Sequence, residues 1–300
     1  MPDELVCARA AGGAVRLIAA TTTELVREAQ ARHGFSPTAS AAVGRLLTGA
    51  VLLCSTLKTG DRLSIQLAGN GPLGGAAAEA AVLDDGTLGA RAYARVPTAE
   101  LPLNEHGKFD VGGVVGRGTL HVTKSFAVGQ PYVGIVPLVS GEIGDDLAAY
   151  LWDSEQVPSI VALGVLAKPN GIAAAGGAIA QILPGADESI LAGIEEHARR
   201  MPHVTAQMSE GAGASDLALT LAGSLDVRFL ERSAIAFRCR CSREKVEVAL
   251  LGLGRDQLEE MAATNEDAQA VCEYCKTAYV FSPDEVGALL ARTAKPDATA

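Results

Sequence analysis

The chain has 300 residues, of which 48% are hydrophobic and 20% are charged, a composition typical of packed globular proteins rather than disordered ones. This length allows one large domain and one small domain. The formal net charge of −10 gives no overall attraction to phosphate backbones or anionic lipids, so the composition argues against nucleic acids and membranes as partners.

The first residues, Met1-Pro2-Asp3-Glu4, are acidic and lead into no apolar secretion signal, so we expect a cytoplasmic protein. The most apolar run, residues 46–57, is shorter than the roughly 20 residues that a bilayer requires and predicts a buried helix. Six cysteines in a cytoplasmic chain favour metal or redox chemistry over permanent disulfides.

Two helices are predicted early in the chain. Thr21 and Glu24 have the spacing of a capping box at the start of a short helix. Ser36 then precedes Pro37, the arrangement of an N-cap followed by proline in the first turn, and predicts a longer helix that runs toward Gly60.

Strand patterns follow these helices. Apolar and polar residues alternate over 63–67, which predicts a half-buried strand, and an Asp-Asp-Gly turn precedes a second strand over 88–96. Residues 114–182 contain short β-rich runs with one helix predicted over 143–152. Residues 1–185 therefore predict an α+β domain, a mixed α/β-sheet core.

A helical linker is predicted over 186–232. Its first helix has one apolar stripe at helical spacing, and a second apolar set follows a small-residue connector at 209–215. The stripe contains Ile190, Leu191, Ile194, Ala198 and Met201, and the second set contains Leu217, Leu219 and Leu221. Such surfaces require a neighbour to cover them. A small C-terminal zinc-binding module is predicted over 233–300.

Four cysteines in this module have the spacing of a metal site. Cys239 and Cys241 form a C-x-C pair, Cys272 and Cys275 form a C-x-x-C pair, and 30 residues separate the pairs. Two tight pairs joined by a long loop are typical of a tetrahedral thiolate site. Four sulfurs fill the coordination sphere of one Zn²⁺ ion, so we expect a structural site, with an iron–sulfur cluster as the alternative metal group.

Metal binding has two possible consequences for a module of this size. A short chain has a marginal core, so loss of the ion should unfold it, and oxidation of the ligands could act as a folding switch. A static zinc clip is the alternative. A dithiol oxidoreductase motif is a third interpretation, but a strand rather than a helix is predicted after Cys275.

A zinc ribbon that binds nucleic acid is the main competing function. Arg238, Arg240, Arg243 and Lys245 surround the first cysteine pair. However, residues 233–300 contain 8 Lys and Arg against 11 Asp and Glu, and bound thiolates would add further negative charge. We therefore expect no nucleic-acid partner.

Other motifs have simpler interpretations. Residues 69–74 match G-x-G-x-x-G, but Pro72 lies where a helix should begin, so a turn between strands is expected. No phosphate-binding loop of the Walker type occurs, and the five histidines lie outside the cysteine pairs. Cys7 and Cys54 have apolar neighbours and are expected to be core residues. We expect no enzymatic activity.

Several segments along the chain resemble the bacterial heat shock protein 33 family. The resemblance covers the cysteine region and landmarks of the preceding domain, in the same order. Its segments are 237–244, 250–254 and 272–275, together with 70–73, 132–136, 140–143, Tyr150, 154–156, Gly176-Gly177 and 181–184. Tyr274 differs from the phenylalanine that is common in the family.

The resemblance implies a redox-regulated, ATP-independent holdase chaperone that is inactive while reduced and zinc-bound. Oxidation would form the disulfides Cys239–Cys241 and Cys272–Cys275, release zinc and unfold the linker. The family's active form is typically a homodimer that holds unfolding client proteins until ATP-dependent chaperones act on them.

Overall fold

The computed structural model describes residues 2–168 and 170–292, and the chain forms two compact units, Met1–Arg238 and Cys239–Ala300. Met1 and Pro169 of the predicted core and residues 293–300 of the predicted module lie outside the described residues. Strands and helices mix in the first unit, which confirms the α+β class.

A ten-stranded sheet forms the frame of the first unit. Its order is β7-β6-β3-β4-β5-β10-β1-β2-β9-β8, and β10 joins the two halves by pairing antiparallel with β1 and parallel with β5. The strands are β1 (Glu4–Ala10), β2 (Val15–Thr21), β3 (Arg62–Gly69), β4 (Ala76–Val82), β5 (Leu88–Ala94), β6 (Gly118–Ser125), β7 (Tyr132–Pro137), β8 (Ser159–Lys168), β9 (Gly171–Ile182) and β10 (Val227–Phe237).

Among the described residues, four α-helices of the first unit and a short 3-10 helix at Ala11–Gly13 precede β8. The α-helices are α1 (Thr23–His33), α2 (Pro37–Cys54), α3 (Val111–Val115) and α4 (Gly144–Asp153). The predicted start of α2 is confirmed, because Ser36 Oγ accepts from the backbone N–H of Ala39 at 3.1 Å. The helix ends at Cys54, before Gly60, and the hydroxyl of Ser55 at its C-cap donates to the carbonyl of Leu52.

The predicted capping box of α1 is wrong. Thr21 lies in β2, where its hydroxyl accepts from the N–H of Glu4, and Thr22 at the N-cap makes no side-chain cap. Instead, the carboxylate of Asp3 accepts from the N–H groups of Glu24 at 3.2 Å and Leu25 at 2.7 Å. The cap therefore comes from a residue far away in the sequence.

Helix α2 is the central element of the main core. It is long and apolar enough to cross a membrane, but 89% of this stretch is buried in the structure. It packs against strands from both halves of the sheet, including β4, β5, β8 and β9. The prediction of a buried helix over the apolar run is confirmed through Cys54.

Residues of the predicted linker cover the opposite face of the sheet. They form α5 (Glu188–Ala198), α6 (Val204–Ser209) and α7 (Ala214–Ala222). β1 and β2 are buried on both faces, because Leu5 and Ile18 face the main core while Val6 and Leu17 face this second core. Of the predicted apolar stripe, Ile194 is buried in this second core, and the other four residues pack against it partly buried.

Two details of this layer differ from the sequence pattern. Leu217 and Leu221 are buried, but Leu219 is 44% exposed because it lies on the outer side of α7. In addition, residues 233–238 group with the first unit, since β10 continues to Phe237. Linker unfolding on activation remains a prediction.

The second unit is small. It contains α8 (Arg243–Leu251), α9 (Arg255–Ala263), the hairpin of β11 (Ala268–Val271) and β12 (Ala278–Phe281), and α10 (Pro283–Arg292). Its buried core consists of Leu250, Leu258, Phe281, Val286 and Leu289. The strand predicted after Cys275 is confirmed as β12, which argues against the oxidoreductase motif.

Candidate metal centre

The two cysteine motifs meet in the second unit. The Sγ atoms of Cys239, Cys241, Cys272 and Cys275 all lie within 4.8 Å of one another, and the group could hold a metal ion. Two contacts join the motifs, at 3.7 Å between the sulfurs of Cys239 and Cys272 and 3.3 Å between those of Cys241 and Cys275. The fold therefore brings together all four side chains that the spacing predicts.

Local backbone structure presents each pair. Cys239 and Cys241 lie just before α8, whose N-cap Ser242 accepts from the N–H of Lys245. Cys272 and Cys275 lie in the turn of the β11–β12 hairpin, where the N–H of Lys276 donates to the carbonyl of Cys272 at 2.8 Å. Lys276 has a φ of 58°, a left-handed conformation that reverses the chain after Cys275.

Two hydroxyl groups contact the sulfurs. The hydroxyl of Tyr279 donates to Cys241 Sγ at 3.1 Å, and Thr277 Oγ1 lies 3.2 Å from Cys275 Sγ. Sequence reasoning missed both roles. A sequence signal for these contacts does exist. Cys275, Thr277 and Tyr279 are two residues apart, and in an extended chain side chains at this spacing point to the same side.

Burial and hydrogen bonding give the thiols different affinities for protons. Burial raises the pKa of Cys241 to about 12, and the hydrogen bond from Tyr279 opposes this effect. Burial also acts to raise the pKa of Cys275, but hydrogen bonds from the side chain and backbone of Thr277 bring this pKa to about 6. Four adjacent thiolates repel one another, so full deprotonation requires a cation among them.

Two of the four basic side chains near the first pair, Arg243 and Lys245, take part in the module's own structure. The guanidinium of Arg243 donates to Glu285 at 2.6 Å and stacks over the Phe281 ring at 4.2 Å. The ammonium of Lys245 donates to the carbonyl of Arg240. These contacts fix two of the four basic side chains on which the nucleic-acid interpretation depends.

The remaining sequence candidates lie in structural settings. The G-x-G-x-x-G match is a turn between antiparallel β3 and β4, as predicted, and a Cβ on Gly71 would approach the carbonyl of Val114. Cys54 is fully buried, and burial raises its pKa to about 12. Cys7 is half-buried against the main core, where burial also raises the pKa of its thiol.

Comparisons with known proteins agree over nearly the whole chain. A family model described as "Hsp33 protein" matches residues 3–282. The 33 kDa chaperonin of Thermus thermophilus is 44% identical over 299 residues, which cover 96% of this chain and 86% of that protein. The 33 kDa chaperonin of Desulforamulus reducens is 40% identical over 299 residues, covering 99% of this chain and all of that protein.

A solved structure extends this similarity to three dimensions. The crystal structure of the 33 kDa chaperonin from Thermotoga maritima, a heat shock protein 33 homolog, aligns with a TM-score of 0.88 at 34% sequence identity. The alignment covers 97% of this chain and 99% of that one. Both units of the fold therefore have counterparts in that structure.

Proposed function

Because this chain belongs to the Hsp33 family, we propose that it is a redox-regulated, ATP-independent holdase chaperone rather than an enzyme. The observation that supports the regulatory part is the cluster of four sulfurs within 4.8 Å. The reduced form with its metal bound is the inactive state. Oxidation allows the protein to bind unfolding client proteins and to prevent their aggregation in the cytoplasm.

Zinc is the metal that suits this site. Zn–S bonds of about 2.3 Å in a tetrahedron correspond to sulfur–sulfur distances of about 3.8 Å. The observed approaches of 3.3 and 3.7 Å and the limit of 4.8 Å bracket this value. Cys239, Cys241, Cys272 and Cys275 would hold one Zn²⁺, which would fix the two motifs together in a closed structural site.

The redox step converts two thiolates into one disulfide. With peroxide as oxidant, each pair of thiolates gives up two electrons and forms an S–S bond, while the peroxide takes up these electrons with two protons from solvent and leaves as two water molecules. We propose the pairs Cys239–Cys241 and Cys272–Cys275, on the basis of the family resemblance. A sulfur in a disulfide has lost its thiolate charge, so the oxidised chain releases zinc.

Release of the metal is proposed to reach the client surface through residues 186–232. These residues unfold when the reduced module is lost, and the apolar side chains of α5 and α7 become available. The oxidised form acts as a homodimer and passes clients to ATP-dependent chaperones. Nucleic acids and membranes are not partners in this proposal.

Aggregation of a thermally unfolding client tests the function. The oxidised protein, treated with peroxide at mild heat, should suppress light scattering without nucleotide, and the reduced protein should not. Cys239→Ser with Cys241→Ser should abolish zinc binding and disulfide formation in the first motif, whereas Cys7→Ala is the control outside the cluster. Equal suppression by the reduced and oxidised proteins would contradict the regulation.

Two further measurements complete this test. Peptide mapping of the oxidised protein identifies the disulfide partners, and pairs that cross between the motifs would contradict the assignment. A titration with nucleic acid at several salt concentrations tests the zinc-ribbon alternative. Tight, salt-dependent binding of the reduced protein would favour that alternative.

A further inference from the structure

A cavity of about 410 Å³ lies in the first unit, between the core and the start of α6. Its walls come from α2, the segment 103–109, β8 and residues 203–205. This volume is within the range of about 300–1,000 Å³ that is typical of small-molecule sites. The cavity lies entirely in the first unit, so the metal centre does not contribute to it.

Basic side chains line the cavity although the whole chain is acidic. The chain carries 35 Asp and Glu against 25 Lys and Arg, yet the lining includes Arg45, Lys108 and His203 and contains no carboxylate among the described residues. The ammonium of Lys108 lies 3.0 Å from Nε2 of His203. The two basic side chains therefore meet across the boundary between the core and α6.

Arg45 adds an unused hydrogen-bond donor. Its Nη1 pairs with Glu142 and lies 3.3 Å from that residue's carbonyl oxygen. However, its Nε is buried and has no hydrogen-bond partner among the described residues. A buried N–H of a charged group without an acceptor is unfavourable, so an anionic oxygen at this position would stabilise the arrangement.

The rest of the lining is apolar. Leu103, Phe109, Val165 and Leu166 are among its apolar lining residues, and Leu103 is 57% exposed although it is a large aliphatic residue. An inorganic anion would leave these walls in contact with water, and a neutral hydrocarbon would leave the basic groups without a partner. The complementary ligand has both a negative head and an apolar body.

We propose that this cavity binds a small amphiphilic carboxylate, with the carboxylate at Arg45, Lys108 and His203 and the hydrocarbon against β8 and the 103–109 segment. The ligand contacts the core and α6 together. Bound ligand therefore holds α6 on β8.

The packing at Gly164 supports this link between ligand binding and the position of α6. A Cβ on Gly164 of β8 would lie 2.9 Å from Thr205 Cγ2, so α6 rests directly on the strand. Separation of α6 from β8 would divide the cavity and remove one wall. By linkage, a ligand that requires both walls opposes that separation. This regulatory consequence rests on the proposed function, whereas binding itself does not.

Binding is measured with the reduced, zinc-loaded full-length protein and three probes. Octanoate has the charge and the apolar body, 1-octanol has only the body, and acetate has only the charge. We expect saturable binding of one octanoate per chain by calorimetry, with 1-octanol and acetate at least tenfold weaker. Equal affinity for octanoate and 1-octanol, or absence of saturable octanoate binding, would overturn the proposal.

Variants locate the site. Lys108→Glu and Leu103→Asp change exposed side chains, so circular dichroism should show an intact fold, and each should weaken octanoate binding at least tenfold. Lys58→Glu is the matched control on an exposed lysine outside the cavity and should bind as the parent does. Unchanged affinity in both cavity variants, or an equal loss in Lys58→Glu, would place the binding elsewhere.

The coupling has its own readout. Saturating octanoate should slow amide hydrogen exchange over 204–209 at least tenfold and should delay activation by peroxide, and Lys108→Glu should remove both effects. Unchanged exchange in a protein that binds octanoate would overturn the coupling. A protein that binds octanoate but never protects clients after oxidation would contradict the proposed function and leave the cavity assignment intact.

Discussion

The hydroxyl of Tyr279 donates to Cys241 Sγ at 3.1 Å. Groups that hydrogen-bond to metal ligands orient them and stabilise their charged form, and their loss typically costs about 10–100-fold in metal affinity. We expect Tyr279→Phe to weaken zinc binding within that range, measured by competition with a chelator under reducing conditions. Tyr132→Phe is the control, because its hydroxyl donates to the Ser154 carbonyl in the first unit.

Unchanged zinc affinity in Tyr279→Phe would mean that the backbone alone holds Cys241 in position. The same variant should keep the module folded when zinc is in excess, because β12 retains its pairing with β11. An effect on zinc affinity without a change in the fold would separate the hydroxyl's role from packing of the ring.

Asp3 gives a pH dependence to the first unit. Burial raises the pKa of its carboxyl from 3.8 to about 6, although the N–H groups of Leu25 and Glu24 act in the opposite direction. The folded chain therefore holds this proton more strongly than the unfolded chain does. The resulting stabilisation is fully present below pH 3.8 and is lost as the pH rises through about 6.

Replacement by an amide tests this pH dependence. Asp3→Asn keeps an acceptor for the start of α1 but cannot titrate, so the difference in unfolding free energy between parent and variant should change by up to about 3 kcal/mol between pH 4 and 7. Urea unfolding at four pH values measures it. Asp84→Asn, on an exposed turn, is the control. Parallel pH profiles for the parent and Asp3→Asn would contradict the assignment.

At the scale of elements, the sequence predicted the helix caps and strands that depend on residues close together in the chain. The Ser36 cap, the alternation in β3 and the strand after Cys275 depend on neighbouring residues, and all three are confirmed. The cap of α1 could not be predicted in this way, because the capping carboxylate belongs to Asp3, which precedes β1 and is 22 residues away from Leu25 in the sequence. The parallel pairing of β10 with β5 is equally non-local.

The cluster of four cysteines follows the same division. Its four cysteines could be predicted, because the spacing within each pair is a local signal and thiolates assemble around one ion. The contact of Thr277 with Cys275 and that of Tyr279 with Cys241 depend on the hairpin register. The basic cavity could not be predicted, since α2, β8 and α6 meet there only through the tertiary fold.

Helix α7 offers a matched pair for testing the linker. Leu221 is fully buried against the second core, whereas Leu219 on the same helix is 44% exposed. We expect Leu221→Ala to cost about 2–5 kcal/mol, with faster amide exchange over 186–232 and partial holdase activity in the reduced state. Leu219→Ala should change stability by no more than about 0.5 kcal/mol.

Zinc content decides how the Leu221→Ala result is interpreted. The variant leaves all four cysteines intact, so it should retain one zinc per chain. If its amides exchange faster and it remains inactive until oxidised, linker release is not sufficient for activation. The client surface would then have to arise from the second unit or from dimerisation.

At the scale of the whole molecule, the two units have very different cores. The first contains a ten-stranded sheet with apolar cores on both faces, whereas the second buries only five large apolar residues among those described. Structural zinc contributes about 10–16 kcal/mol to the folding of small zinc modules, which is comparable to the total stability of about 5–15 kcal/mol for a typical domain. The second unit should therefore depend on its metal, and the sheet of the first should not.

Removal of zinc by a chelator under reducing conditions tests this difference without forming a disulfide. We expect complete loss of amide protection over 243–292, while amides of β1, β2 and β9 stay protected because their pairing and both cores remain. Addition of zinc should restore the protection, and magnesium should not, because thiolates prefer softer cations. If the metal-free second unit stayed protected, the five-residue core would be sufficient for its stability, and oxidation would have to act through the disulfides themselves rather than through loss of the ion.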